Sequence, residues 1–241
     1  MPTKCIAIHQ PNLFPWMGFF AKIFKSEAFV FLDHVILNPR TSIYTKRVKI
    51  ISNKQEFWLT VPLKNKSEQT FQRICEMEID KPQIIADKHL KTIELNYKKA
   101  PFFNETFPFI HKFYTSENNL ISFRNIEFIK SLCEALGQKK EFIVSSHGDY
   151  EKSSTEMLID IVLKNQGTTY LSGDGVEGYQ KDELYAKNKI DLSFMDYKQP
   201  SYKQFNLENF APGLSIIDAL MNLGLEGTKN ILVQSVNKNI S

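Results

Sequence analysis

Short apolar runs on either side of a helix-like segment mark the start of the chain. Residues 5–8 and 29–32 are both apolar runs of four, and each predicts a buried strand. Between them, residues 17–25 are charged only at Lys22 and Lys25, a pattern typical of a short helix packed against a sheet. The order strand, helix, strand predicts a parallel unit of an α/β sheet.

The rest of the chain repeats this alternation around a helical middle. A Ser-Asn-Lys turn separates two β-like segments and predicts a hairpin over residues 43–51 and 56–63. Helical spacing predicts helices at 81–97, 104–114, 122–136, 155–165 and 214–223. Further strands are predicted at 142–144, 169–171 and 192–195. We expect Gly224 to close the last helix, and the segment after Gly227 to dock loosely or to be mobile.

These elements predict a doubly wound, mostly parallel α/β sheet of the nucleotide-binding kind. The sequence contains no internal repeat and no linker rich in Gly, Ser or Pro. We therefore expect one domain over residues 1–241, with a helical insertion at about 82–137.

The loop after the first strand is the leading candidate for a ligand site. It places His9, Gln10, Asn12 and Trp16 on a segment whose backbone is restricted by prolines at positions 11 and 15. Ligands of open α/β sheets bind beyond the carboxyl ends of the strands. His9 titrates near neutrality and is the predicted catalytic base, whereas the other three side chains are predicted to bind substrate. Packing of the loop aromatics on the core is the structural alternative.

Later strand ends carry similar polar loops. Asp33 follows the second strand, Ser145 and Ser146 follow the third, and Ser172 with Gly173 follow the fourth. The carboxyl ends of parallel strands share one edge, so we expect these side chains to meet His9 in one cleft. Asp33 is predicted to be catalytic, by orienting His9 or by binding a sugar hydroxyl. The other four are predicted to bind substrate, with the glycine-containing loop at 172–175 offering backbone N–H groups to an anion.

The net charge of +3 is unevenly distributed. Residues 40–54 contain no acidic side chain and include Arg40, Lys46 and Arg47, which we predict to bind phosphate or diphosphate of the substrate. Lys49 and Lys54 complete this basic stretch. A solvated hairpin face is the alternative, and RNA would satisfy the same charges.

Composition excludes several classes of protein. Hydrophobic residues make up an ordinary 42% of the chain, and they form no apolar run of about 20 residues. The sequence therefore predicts no membrane insertion. The N-terminus lacks the apolar region of a secretory signal, so we expect a cytoplasmic protein. Three widely spaced cysteines and five scattered histidines form no metal-binding motif, and we expect neither a metal nor another cofactor.

Motifs spread over nearly the whole chain point to a family. A His-Gln-Pro-Asn loop precedes Pro-Trp-x-Gly-Phe-Phe-x-Lys-Ile at 15–23, and further motifs lie at 29–33, 58–62, 91–103, 145–146, 170–173 and 214–218. In this order they resemble the WbqC-like family of bacterial proteins. The resemblance implies a place among genes for surface polysaccharide such as O-antigen. It also implies attachment of an amino-acid or acyl group to an amino sugar.

The histidine-containing loop between strand and helix also resembles the HIGH-motif superfamily of adenylyl-transferring enzymes. There the loop holds the nucleotide triphosphate. The second motif histidine is replaced here by residues 13–16, and the sequence has no Lys-Met-Ser-Lys-Ser-like run. This resemblance implies a nucleotide-binding fold and does not extend to adenylyl transfer.

Three hypotheses follow for the function. The first is a transferase of O-antigen (lipopolysaccharide) biosynthesis that forms an amide on a nucleotide-linked amino sugar, with His9 as general base. The second is a non-catalytic protein that binds or scaffolds nucleotide sugars. The third is tRNA-dependent aminoacyl transfer, which the small net charge supports little. All three leave a homodimer open.

Overall fold

The computed structural model describes residues 3–38, 42–64, 72–173, 182–205 and 207–237. Its strands are β1 (Cys5–His9), β2 (Ala28–Phe31), β3 (Arg47–Ser52), β4 (Gln55–Thr60), β5 (Glu141–Val144), β6 (Thr169–Ser172) and β7 (Asp191–Phe194). Its helices are α1 (Met17–Lys25), α2 (Pro82–Tyr97), α3 (Phe103–Tyr114), α4 (Ile121–Ala135), α5 (Ser154–Lys164), α6 (Asp182–Lys187) and α7 (Ile216–Asn237).

The main sheet has five strands in the order β5-β2-β1-β6-β7. Every neighbouring pair is parallel, with Ala7 of β1 opposite Phe29 of β2 on one side and Leu171 of β6 on the other. The chain first builds outward from β1 to β5 and later returns to the other side of β1. This order confirms the predicted doubly wound α/β sheet, with the switch point of the topology at β1.

Alternate side chains of β1 enter two different cores because successive residues of a strand face opposite ways. Ile6 and Ile8 pack with residues of α5 and α6, whereas Ala7 belongs to the larger core that includes α1, α7 and the helices from α2 to α4. Helices therefore cover both faces of the sheet. Parallel strands with continuous apolar runs need this cover, because their side chains must be buried on both faces.

The predicted hairpin is present as β3 and β4, and it is held from behind by polar contacts. The backbone N–H of Ile51 donates to the hydroxyl of Tyr97, and that hydroxyl donates to the carboxylate of Asp218. Tyr202 and Gln204 donate to the same buried carboxylate. These contacts fix the hairpin against α2 and α7.

The C-terminal region differs from the prediction. Gly224 has φ 69° and ψ −177°, so it interrupts the helical backbone of α7 as expected. The chain then resumes a helix to Asn237 and buries Leu232 in the core. Phe102 fills the space beside Gly224, where a Cβ would lie 2.6 Å from its ring. No helix in the described ranges is long and apolar enough to cross a membrane.

Candidate functional site

A cleft of about 760 Å³ opens at the carboxyl end of β1. One wall is the loop after β1, which contributes His9, Gln10, Asn12 and Trp16. The other wall is the hairpin with the segment before it, which contributes Tyr44, Arg47, Lys49 and Trp58. The volume lies within the range of small-molecule and cofactor sites.

Backbone hydrogen bonds join the two walls. The N–H of Leu13 donates to the carbonyl of Tyr44 (2.9 Å). Ser215, just before α7, donates its N–H to the carbonyl of Lys49 and its hydroxyl to the carbonyl of Phe14, each at 2.8 Å. These bonds fix the main chains of the two walls relative to one another.

His9 faces the cleft as a neutral imidazole. Its Nδ1 lies 2.9 Å from the carbonyl oxygen of Gln10, which can only accept, so Nδ1 bears the ring proton and Nε2 presents its lone pair. Burial, together with the nearby charge of Lys22, lowers the pKa of His9 to about 4. The edge of Phe19 packs against the ring, with 4.9 Å between centroids. At neutral pH His9 is therefore a hydrogen-bond acceptor and a proton acceptor.

Trp16 is the exposed aromatic of the loop wall. Its indole is 39% accessible and packs edge-on against Tyr197, with 5.4 Å between centroids. Gly18 lies directly under the indole. A ring supported on two sides and open on another offers a flat surface to a sugar or a base.

The hairpin wall is basic and aromatic. The guanidinium of Arg47 lies 4.0 Å from the ring centroid of Trp58, and Tyr44 lies 6.2 Å from Trp58. Lys49, paired across the hairpin with Trp58, forms a salt bridge of 2.9 Å with Glu56. No Asp or Glu is among the described residues that line the cleft. The cleft therefore favours an anionic ligand.

Asn125, on α4, is a functional candidate that sequence analysis did not find. It is fully buried, and its amide nitrogen donates to the carbonyls of Pro11 and Thr45, each at 2.9 Å. One carbonyl belongs to each wall. The partners are 114 and 80 residues away in the chain. A lone asparagine within a helix forms no recognisable sequence motif, so the sequence gives no signal of such a contact.

Asp33 lies at a different point of the sheet edge. Its carboxylate accepts hydrogen bonds from the hydroxyl of Ser145 (3.1 Å) and from the N–H and hydroxyl of Ser146 (both 2.8 Å). Its described hydrogen bonds do not include His9, whose Nδ1 is oriented by Gln10 instead. Asp33 therefore joins the ends of β2 and β5, and neither Asp33 nor the two serines are among the described residues lining the cleft.

The remaining predicted residues are also placed outside the cleft lining, as far as the described residues go. Ser172 is buried at the end of β6, and Gly173 follows it with open space where a Cβ would project. Lys46 precedes β3, where its carbonyl accepts the N–H of Val61. Arg40 and the rest of the glycine-containing loop, from position 174, lie outside the described residues.

A metal site is not indicated where the structure describes the chain, since no three His, Cys, Asp or Glu side chains come together there. The site is therefore a cleft with one imidazole base, two carboxamides, three aromatic rings and a basic wall. Such a set of groups can bind an anionic ring compound and accept a proton from it.

Comparison with known proteins agrees with the motifs. The model of the WbqC-like protein family matches residues 10–230. The uncharacterized protein Rv1507c of Mycobacterium tuberculosis (strain ATCC 25618 / H37Rv) is 29% identical over 225 residues, covering 92% of this chain and 95% of the relative. No solved structure matches the chain. The family match begins at Gln10, directly after β1 and His9, and covers the rest of the loop wall and the whole hairpin wall; the chain belongs to the WbqC-like protein family.

Proposed function

We propose that the protein is a transferase of bacterial surface polysaccharide biosynthesis that forms an amide on a nucleotide-linked amino sugar. Support from the family is general, because the WbqC-like name is associated with polysaccharide gene clusters. The observation that carries the proposal is the position of His9, which lines the cleft at the carboxyl end of the central strand and whose Nδ1 proton is held by the carbonyl of Gln10, leaving Nε2 unprotonated.

His9 has the protonation state that amide formation needs. The sugar amine attacks the acyl carbonyl of the donor, a C–N bond forms, and the nitrogen becomes an acidic ammonium. Nε2 accepts that proton, the tetrahedral intermediate expels the leaving group, and the proton passes from His9 to the departing atom. A pKa of about 4 keeps the imidazole unprotonated throughout the neutral range. The imidazolium formed in the first step gives up its proton readily for the same reason.

The cleft lining suits a nucleotide-linked sugar. The rings of Trp16, Tyr44 and Trp58 offer surfaces on which a sugar or a base can stack. Gln10 and Asn12 have amide groups that can bind sugar hydroxyls, and the hairpin wall supplies positive charge for phosphates. The described lining has no carboxylate that would hold the substrate amine as an ammonium ion.

Replacement of His9 by Asn tests the catalytic role. Asparagine retains hydrogen-bonding capacity but cannot take up a proton at neutral pH, so we expect turnover to fall by about 10²–10⁴. Binding of the substrate should change by less than roughly tenfold, because a general base acts mainly in the transition state. The assay mixes nucleotide-linked amino sugars with acyl or aminoacyl donors and follows amide products by mass spectrometry.

Two other outcomes identify the alternatives. Full activity in His9→Asn would show that the histidine only binds or packs. Tight binding without any product, from every donor offered to the wild type, would favour the scaffold hypothesis. A steep fall in affinity for tRNA with increasing salt would instead favour the tRNA-dependent hypothesis, because polynucleotide contacts release counterions.

A further inference from the structure

We propose that Arg47 is the anion-binding residue of the cleft and that it holds the diphosphate of the nucleotide-linked sugar on the hairpin wall. The inference rests on the proposed function for the identity of the whole ligand. The anion site itself is argued from the geometry of the hairpin. The proposal places the diphosphate at β3, opposite the loop wall that contains His9.

The structure distinguishes Arg47 from the other cations of the basic stretch. Lys46 is not among the described residues that line the cleft, and Lys54 is exposed at the hairpin turn. Lys49 lines the cleft, but its ammonium is neutralised by Glu56 at 2.9 Å. Arg47 lines the cleft and forms no salt bridge within the described residues. Its charge is therefore available to a ligand.

Trp58 gives this charge a defined orientation. The guanidinium carbon lies 4.0 Å from the centroid of the indole, the distance of a stacked cation–π contact. Stacking fixes the plane of the group and directs its N–H donors sideways, where a phosphate can accept two of them in parallel. The Nε atom is buried and has no hydrogen-bond partner among the described residues. Because Nε is enclosed by the protein, a phosphate in the cleft is bound by the terminal nitrogens of the guanidinium instead.

Both tryptophans of the protein line the cleft, so its tryptophan fluorescence reports on this site. The test titrates UDP, inorganic pyrophosphate and uridine into wild type, Arg47→Ala, Arg47→Lys, Lys49→Ala and Lys54→Ala. Isothermal titration calorimetry repeats each measurement, because removal of Arg47 itself alters the environment of Trp58. Thermal unfolding of each variant verifies that it is folded.

We expect Arg47→Ala to raise the Kd for UDP and for pyrophosphate by about tenfold to a hundredfold, the usual effect of losing hydrogen bonds to a charged group. Arg47→Lys retains the charge without the planar fork and should lose most of the same affinity. Lys49→Ala, which removes one charge from the same wall and leaves Glu56 without its partner, should raise the Kd clearly less than Arg47→Ala does. Lys54→Ala should match the wild type, and uridine should not distinguish the variants.

Equal losses in Arg47→Ala and Lys49→Ala would overturn the inference, because they would indicate a diffuse positive field. Failure of the wild type to bind either diphosphate probe would overturn it as well. Diphosphate binding that depends on Arg47, in a protein that makes no amide from any donor, would support the anion site and refute the proposed transferase.

Discussion

Gly18 lies so close beneath Trp16 that the indole occupies the space where a Cβ would project. A Cβ built on Gly18 would be 2.5 Å from Cη2 of Trp16, well inside van der Waals contact. Gly18, the second residue of α1, therefore supports the aromatic surface of the cleft. Glycine is required here by packing, since its φ angle is not in the left-handed region.

Replacing Gly18 by Ala should displace Trp16 from its seat. We expect a shift of the tryptophan emission, a Kd for UDP-linked amino sugars raised by about tenfold, and a loss of about 1–3 kcal/mol in the free energy of unfolding. In a Trp16→Ala background the same substitution has no ring to meet. There it should be nearly neutral, and a double-mutant cycle measures the difference. If Gly18→Ala lowered stability equally in both backgrounds, Gly18 would not be needed to accommodate the indole of Trp16.

Asn125 should position both walls of the cleft. Asn125→Asp retains the shape of the side chain but places an acceptor where the amide donated to the carbonyls of Pro11 and Thr45. We expect a loss of about 1–3 kcal/mol in the free energy of unfolding, with weaker binding of the cleft ligand. Chemical denaturation and fluorescence titration measure the two effects.

Asn165 provides the matched control for Asn125. It is an amide on the other side of the sheet, next to α5, where it donates to the carbonyl of Ile161 and the hydroxyl of Tyr150. Asn165→Asp should reduce stability while leaving ligand affinity intact. If the two variants weaken binding in proportion to their loss of stability, Asn125 has no special role in the cleft.

Asp33 offers a test of the catalytic role predicted from its position after β2. In Asp33→Asn, an amide nitrogen replaces one of the two oxygens that accept from Ser145 and Ser146. We expect a loss of about 1–3 kcal/mol in the free energy of unfolding, from the unsatisfied donor. Ligand affinity should be nearly unchanged. Loss of turnover at unchanged stability would instead support catalysis by Asp33.

His89 should make the protein less stable in acid. Its ring is buried, with Nδ1 2.8 Å from the hydroxyl of Tyr114, and burial, with the charge of Lys88, lowers its pKa to about 4. The unfolded chain has a histidine pKa near 6.5 and binds this proton first. The stabilisation is therefore complete above pH 6.5 and falls as the pH is lowered toward 4, by roughly 3 kcal/mol in total.

Denaturation of wild type and His89→Gln between pH 7 and pH 4 checks this expectation. Glutamine does not titrate, so the free energy of unfolding of the variant should depend less steeply on pH over that window. The difference between the two slopes isolates His89 from the carboxylates, which titrate in both proteins. Parallel curves would show that His89 does not contribute.

The parallel α/β sheet and most helix positions follow from local patterns, and they were predictable for that reason. The apolar run before His9 and the apolar spacing from Met17 to Lys25 each indicate a buried element by themselves. Parallel pairing of the strands then follows because strands and helices alternate along the chain. A helix that restarts after Gly224 was missed, because the glycine signals an end and the buried Leu232 lies in a mostly polar stretch. Packing against the core outweighed that local signal.

The site could be predicted where its residues lie in short continuous stretches of the chain, namely the loop after β1 and the basic stretch that contains Arg47. The loop from His9 to Trp16 lines the cleft because a loop keeps its members together. A position at the same edge of the sheet did not suffice to predict which side chains meet. The ends of β2 and β5 bring Asp33 to the two serines, whereas His9 at the end of β1 lies in the cleft beside the hairpin. Contacts of Asn125 across 80 and 114 residues depend on the packing of α4, which no local pattern encodes.

The bonds made by Ser215 form late during synthesis of the protein, because Ser215 lies near the C-terminal end of the chain. Its hydroxyl and N–H hold Phe14 and Lys49, and the N–H of Ile216 holds the carbonyl of Pro15. On the ribosome the loop and the hairpin emerge long before this segment, which must leave the exit tunnel before it can join them. A nascent chain halted before Ser215 would thus lack the bonds that tie Phe14 and Pro15 of the loop to Lys49 of the hairpin.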